Sequence, residues 1–444
     1  MSSKAVTLFT TFSDTSEAYS LNRVVEDQLK MLLKNGYEPT LIVTDSFDPE
    51  GLYADPRIKI ATIPNVPVHN EVKKDESFDD DVAGIEAALR PILSKSDIVL
   101  THDIIYQNAA LKHNLAARKI AGEFPNVKWL HWIHSATSPV TLVNLRPIFT
   151  DEYLEVIARP FPNSFYIFFN HYSIPRIARN FEVSEDQVKV VHHPSDLQEV
   201  FGLSDVMNKF VVDNKVYAAD AICIYPIRLD RGKQVEMVIK TMAMLKEFDL
   251  SVKVVIVDFH STGGDKVTYK DELKNLAIDW GLNSEEIIWT SEVNEDWSYE
   301  VPHRDVMSLM RMSNVFIMPS VSESYSLITQ EAGLNKAVVV LNQDFPPFRD
   351  IFGPNAIYRK FSSNIDVMTG LDGWTDTKYG PDKASDQERK QHEKVYHKET
   401  AGMIASKLFG SQNLSLSIFL RKYRNLDYVF KHELEPLFYE EVNG

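Results

Sequence analysis

Residues 314–341 read Asn314-Val-Phe-Ile-Met-Pro-Ser-Val-Ser-Glu-Ser-Tyr-Ser-Leu-Ile-Thr-Gln-Glu-Ala-Gly-Leu-Asn-Lys-Ala-Val-Val-Val-Leu341. The apolar run at 315–318 stops at Pro319 and a polar turn. Leu327, Ile328, Ala332 and Leu334 then recur at near-helical spacing, and residues 337–341 form a second apolar run. A strand, loop, helix and strand in this order make one unit of a parallel sheet. Glu323 stands in the loop before the helix and Glu331 lies along it, with seven residues between them. Loops at the carboxyl ends of parallel strands are where open α/β sheets bind ligands, and a helix beginning there offers free N–H groups to an anion. Two carboxylates beside such an anion site make sense if the anion belongs to a polyhydroxylated ligand. Read alone, the pair is equally a solvated helix residue and a surface loop residue.

In context the pair resembles the Glu-x7-Glu motif of retaining glycosyltransferases of the GT-B fold, especially the family 4 group (glycosyl transferases group 1) that uses nucleotide-sugar donors. The resemblance implies an α/β fold of two Rossmann-like, doubly wound domains facing a central cleft, with a C-terminal helix crossing back to the N-terminal domain. It implies that Glu323 holds hydroxyls of the donor sugar and Glu331 the nucleotide ribose. Ser324, Tyr325, Ser326 and Leu327 then belong to the donor-binding stretch between them.

A second stretch, Tyr225-Pro-Ile-Arg-Leu-Asp-Arg-Gly-Lys-Gln-Val-Glu236, follows an apolar strand and opens a helix. By the same resemblance Arg228 and Lys233 match the cations that neutralise the donor diphosphate. The chemistry requires them, because negative charge collects on the departing diphosphate as the glycosidic bond breaks. Arg offers a planar fork to phosphate oxygens and Lys a movable point charge. No metal-ligand cluster is visible in the sequence, so neither a metal nor another cofactor is expected. In Lys128-Trp-Leu-His-Trp-Ile-His-Ser135, His134 ends a strand and matches a His that lies near the reacting sugar. His131 is taken to share its strand face, which leaves the choice between them open. His102-Asp103 is a polar pair at another strand end, on the acceptor side, and His192-His193 reads as a strand end and turn rather than a zinc site. Three departures stand out: residues 10–16 replace a Gly-rich loop, residues 324–327 lack the usual Gly, and Asp258 begins a stretch where a Gly is expected.

The chain has 444 residues, which suggests two domains. We divide it into an acceptor-side domain at 1–200, a donor domain at 201–412 and a C-terminal helical segment at 413–444. In the first half, strands are expected at 6–12, 38–44, 58–63, 97–101, 127–133, 165–170 and 188–192. Helices fall between them, and residues 73–81 read as an exposed acidic loop. Periodicity weakens over 195–220 and resumes with a strand at 221–227 and a helix at 233–248. Residues 373–400 are strongly polar and read as an ordered insertion or a mobile surface segment, and residues 414–437 as amphipathic helix.

Hydrophobic content of 44% and charged content of 25% are those of a globular protein. The single Cys223 excludes an internal disulfide framework and fits a reducing compartment. No run of about 18 apolar residues is present. The expected location is therefore cytoplasmic, or at most peripheral to a membrane. A net charge of −16 opposes nucleic acid, against which only the basic stretch 419–426 stands. The expected partners are a nucleotide-sugar donor and a hydroxyl acceptor: a glycan, a lipid, a small molecule or, least favoured by charge, a nucleic acid. Rival readings are a degenerate GT-B nucleotide-sugar-binding protein, a GT-B nucleotide-sugar epimerase and a sugar phosphorylase. The last two lack their expected carboxylate bases or cofactor lysine.

Overall fold

Short apolar runs alternating with amphipathic helices give two all-parallel sheets in the computed structural model. It describes residues 4–15, 20–68, 75–135, 156, 159–259, 266–297, 300–321, 323, 325–361 and 386–442. The chain divides into one unit of residues 1–195 and 424–444 and another of residues 196–423.

The first sheet contains β1 (Val6–Phe9), β2 (Thr40–Thr44), β3 (Lys59–Ile63), β4 (Ile98–His102), β5 (Lys128–Trp132), β6 (Ser164–Phe168) and β7 (Val188–Val190), in the order β3-β2-β1-β4-β5-β6-β7. The strand order reverses direction between β1 and β4, which opens a crevice at their carboxyl ends. Alternation along β4 sends Ile98 and Leu100 into one apolar core and Val99 into the other. Helix Ser20–Lys34 covers the first face, while helices Phe78–Leu93 and Leu111–Glu123 cover the second.

The C-terminal residues complete the first face, so the expected return of this segment is present. Leu426, Val429, Phe430, Leu434, Leu437 and Phe438 are buried in the same core as Leu8 and Leu100. A buried side chain of this size contributes roughly 1.5–3 kcal/mol before ordering costs. An exposed ion pair such as Lys34–Asp427, at 2.9 Å, adds under about 1 kcal/mol, so apolar burial dominates the attachment. Polar contacts set its register: Lys128 Nζ donates to the Leu437 and Phe438 carbonyls at 3.0 and 2.9 Å, and the His192 N–H donates to Glu433 at 2.8 Å.

The second sheet contains β8 (Ala221–Arg228), β9 (Val252–Phe259), β10 (Ile287–Trp289), β11 (Val315–Met318), β12 (Val338–Asn342) and β13 (Ile357–Arg359), in the order β10-β9-β8-β11-β12-β13. Its reversal lies between β8 and β11. Cys223 is buried in β8 beside Val315 and Val254, a small filler as its composition suggests. Two Rossmann-like units in one chain, with the C-terminal segment rejoining the first, are the organisation of the GT-B fold.

Several local expectations need correction. Residues 78–81 begin helix Phe78–Leu93 rather than lying in a loop, because Asp79, Asp80 and Asp81 favour its positive N-terminal end. Residues 195–220 hold helices Leu197–Phe201 and Asp205–Asp213, too short for clear periodicity yet capped by the Asp196 and Ser204 side chains. The helix expected from 233 begins at Val235, since Gln234 has left-handed backbone and breaks the run. Helix Asp386–Gly410 occupies the later part of the polar stretch and buries Ala401, Ile404 and Leu408; residues 362–385 fall outside the described ones. Helix Gln412–Tyr423, grouped above with the C-terminal segment, belongs to the second unit. The basic stretch 419–426 is no open cationic face: buried Arg421 donates to the Tyr217 carbonyl and Lys422 meets Asp220 at 2.6 Å. Among the described residues, no helix is long and apolar enough to cross a membrane.

Candidate active site

In the second unit the carboxyl ends of β8 and β11 bring the two quoted stretches together. Arg228 ends β8 with an exposed side chain, its Nε 3.6 Å from Asp230. The following turn, Arg231–Lys233, closes as Lys233 N–H donates to the Asp230 carbonyl at 2.9 Å. Gly232 accepts a backbone bond from Val321, at 3.1 Å, which ties this turn to the loop after β11. Lys233 Nζ donates to Glu323 Oε1 at 2.5 Å, with both side chains mostly buried. The Tyr225 hydroxyl donates to the Lys233 carbonyl at 3.2 Å. Burial first, then the neighbouring Cys223 and Glu323, pushes that phenol well above its ordinary pKa, so it stays a donor.

Gln234 carries no charge and no periodic signal, so nothing in its local pattern singles it out. It is fully buried with φ +49, and its Nε2 donates to the Pro319 carbonyl at 2.5 Å and the Phe361 carbonyl at 3.1 Å. It therefore fixes the turn after β8 to the end of β11. Ser326 also has left-handed backbone, φ +73, immediately before helix Leu327–Leu334. That conformation costs a non-glycine residue roughly 1–2 kcal/mol, which locates where the absent Gly is felt. The Ser326 and Thr329 hydroxyls, 2.8 Å apart, hold the turn.

Glu331 is half-buried in that helix, 3.8 Å from His303 Nε2. Tyr325 and Leu327 are exposed in the same stretch; Ser324 lies outside the described residues. Asp258, at the position where a Gly was expected, is fully buried rather than open to a ligand. Burial alone would raise its carboxyl, but the Ser291 hydroxyl at 2.6 Å and Lys270 at 3.0 Å outweigh that and hold it below the ordinary value. Among the described residues, no group of three or more His, Cys, Asp or Glu is gathered to hold a metal.

In the first unit the histidines separate cleanly. His131 and His134 do not share a strand face, because they lie three positions apart, an odd offset along an alternating strand. His131 is wholly buried, accepts or donates with Thr101 Oγ1 at 2.8 Å, and stacks on Trp129. His134 lies past the end of β5, its Nε2 3.1 Å from His102 Nδ1, while His102 Nε2 is 2.9 Å from Gln28 Oε1. With Gln28 Oε1 accepting, His102 carries its proton on Nε2 and accepts from His134 Nε2, leaving a lone pair on His134 Nδ1. Burial holds His134 down to about 4 and His102 well below its ordinary value, so both are neutral near pH 7. Asp103 has φ +58 and accepts from the Tyr106 hydroxyl, which itself accepts from the His134 N–H at 3.1 Å. His192 is bound to Glu433, and His193 packs on Phe169 beside His134. After β1, the Thr10 hydroxyl donates to the Ile42 carbonyl at 2.8 Å and accepts from the Phe12 N–H, so a hydroxyl shapes the turn that lacks glycines.

Residues 206–365 match the family described as glycosyl transferases group 1. No curated protein sequence matches the chain. Similar solved structures include sucrose-phosphate synthase from Thermosynechococcus elongatus, with 15% identity, TM-score 0.33, and coverage of 93% of this chain and 100% of that one. Anabaena Alr3699/HepE in complex with UDP has 12% identity, TM-score 0.34, and coverage of 98% and 100%. A glycosyltransferase from Rickettsia africae has 14% identity, TM-score 0.30, and coverage of 98% and 100%. The fold is read from the strand orders above and not from these superpositions. The matched segment contains Arg228, Lys233, Glu323 and Glu331 together, and the chain that carries it is a glycosyltransferase.

Proposed function

We propose that the protein is a metal-independent, retaining glycosyltransferase of the family 4 type, moving a sugar from a nucleoside diphosphate donor to a hydroxyl acceptor in the cytoplasm. The observation that carries this reading is the meeting of Lys233 and Glu323 where the strand order of the second unit reverses, within the matched segment. A reversal of this kind is where open α/β sheets take nucleotides.

In this reading Arg228 and Lys233 neutralise the diphosphate as it departs, and their charge acts best on the state in which the bond is already breaking. Glu323 holds the sugar, where positive charge develops, and Glu331 holds the ribose. Tyr325, Ser326 and Leu327 shape the donor loop. His134 offers its Nδ1 lone pair to a sugar hydroxyl. No side chain is assigned as nucleophile; the leaving diphosphate assists the acceptor hydroxyl on the same face, and the protein contributes position and electrostatics. A degenerate, non-catalytic binder was favoured by the missing glycines, yet Ser326 adopts the left-handed backbone that a Gly would supply.

Incubating the protein with a panel of nucleoside diphosphate sugars and mixed acceptors, with and without EDTA, tests the reading by mass spectrometry and by NMR of the product's anomeric configuration. Retained configuration in EDTA is expected. An inverted product, an absolute requirement for a divalent cation, or donor binding without any turnover would each overturn a distinct part of it.

A further inference from the structure

The crevice where the strand order of the first unit reverses contains a cavity of about 450 Å³, within the range of small-molecule sites, about 300–1,000 Å³. Thr11, Ser13 and Asp14 from the loop after β1 line it, with His102 and Asp103 from the end of β4 and His113 from helix Leu111–Glu123. We propose that this cavity takes the acceptor, as an uncharged polyhydroxylated molecule rather than a phosphorylated one, and that His113 is a residue that selects it. The inference rests on the glycosyl-transfer reading above and adds the acceptor's chemical class.

Two independent observations carry it. The first is charge. Among the described residues lining the cavity there is no Lys or Arg, whereas Asp14 and Asp103 are both present. The nearest cation along the helix, Lys112, is buried and committed to Asp81 at 2.7 Å and Asp75 at 3.0 Å. Burial, helped by Lys112, holds His113 down to about 4, and burial keeps His102 well below its ordinary value, so neither supplies positive charge near pH 7. A phosphate entering here would lose water with no Lys or Arg among the described lining residues to meet it, which selects against it.

The second is an unpartnered polar group. His113 is 5% exposed, and neither of its ring nitrogens has a hydrogen-bond partner among the described residues. A buried polar group left without a partner loses its hydration and gains nothing in return, so a ligand that pairs with it is favoured. A neutral imidazole has one donor and one acceptor, and a hydroxyl ligand satisfies either.

The test uses the intact chain and ligand-observed NMR with neutral sugars and polyols, each paired with its own phosphate ester: D-glucose, D-mannose, D-fructose and myo-inositol. Uridine diphosphate is titrated separately by calorimetry. At least one neutral compound should bind tenfold or more tightly than its phosphate ester. His113→Leu should weaken that compound about tenfold without changing uridine diphosphate affinity. Thr11→Lys, at an exposed position and so safe for folding, should narrow or reverse the preference. Phosphate esters that bind as well as the neutral forms, a panel in which no neutral compound binds, or a Thr11→Lys variant with unchanged preference would overturn the proposal. Loss of diphosphate binding with neutral-ligand binding intact would sink the donor reading and leave the cavity's selectivity standing.

Discussion

Lys233 Nζ lies 2.5 Å from Glu323 Oε1, although ninety residues separate them in the chain. In the free protein the cation assigned to the phosphate and the carboxylate assigned to the sugar are each other's partner. Donor binding must therefore redistribute an existing ion pair, which makes the two carboxylates of the motif experimentally distinguishable.

Glu323→Gln releases Lys233 for phosphate, so calorimetry should show nucleoside diphosphate affinity unchanged or raised, while kcat with an intact donor falls about a hundredfold or more. Glu331→Gln should lower diphosphate affinity about tenfold through the ribose, with a smaller effect on kcat. Equal losses of diphosphate affinity in the two variants would refute the division of roles.

Arg228→Ala and Lys233→Ala should each reduce kcat/KM by roughly 2–4 kcal/mol in transition-state stabilisation. The Arg228 side chain is exposed and its contact with Asp230 is long, so its loss should barely shift the melting temperature. Lys233 has structural contacts as well, and its variant should show a modest shift. Full activity in both would remove the phosphate assignment.

Lys240 and Glu393 form a buried ion pair between helices Val235–Met244 and Asp386–Gly410. Removing one partner leaves a buried charge unmatched, so Glu393→Ala should destabilise the chain by about 3–5 kcal/mol in urea unfolding. The double variant Lys240→Met, Glu393→Leu should recover most of that loss. A double variant as unstable as the single one would show that the pair contributes through attraction rather than through mutual charge cancellation.

Acid should weaken the first unit through its buried histidines. His113 has a folded pKa of about 4, below its unfolded value of about 6.5, so the unfolded chain takes up the proton first as pH falls. Its contribution is intact above pH 6.5 and is lost between about 6.5 and 4, to a limit of about 3 kcal/mol. Urea midpoints measured across that window should fall with pH, and His113→Leu should flatten part of the slope. An unchanged slope would show that His113 does not titrate on unfolding.

The candidate site was legible where chemistry is local. Arg228 and Lys233 stand in a strand-to-helix turn, and Glu323 and Glu331 frame one loop and its helix, so residue type and spacing suffice to nominate them. Gln234 was invisible because its role rests on a left-handed backbone and two carbonyls supplied by distant residues. His113 was equally silent, since a His within a helical run carries no signal of a cavity. His131 was nominated with His134 and proved to be core, because the end of β5 falls between them.

The succession of apolar runs and amphipathic helices, and hence two parallel, doubly wound sheets, is written in residue order, because side-chain periodicity is a local property of the chain. The sign of the charges offered after β8 and β11 is equally local. Long-range packing places β8 beside β11 and β1 beside β4, so that Lys233 meets Glu323 and His102 meets His134. The same packing lays residues 424–444 over the first sheet. These are matters of strand order and of which apolar faces bury one another, and they depend on the free energy of the whole packed chain rather than on any one segment.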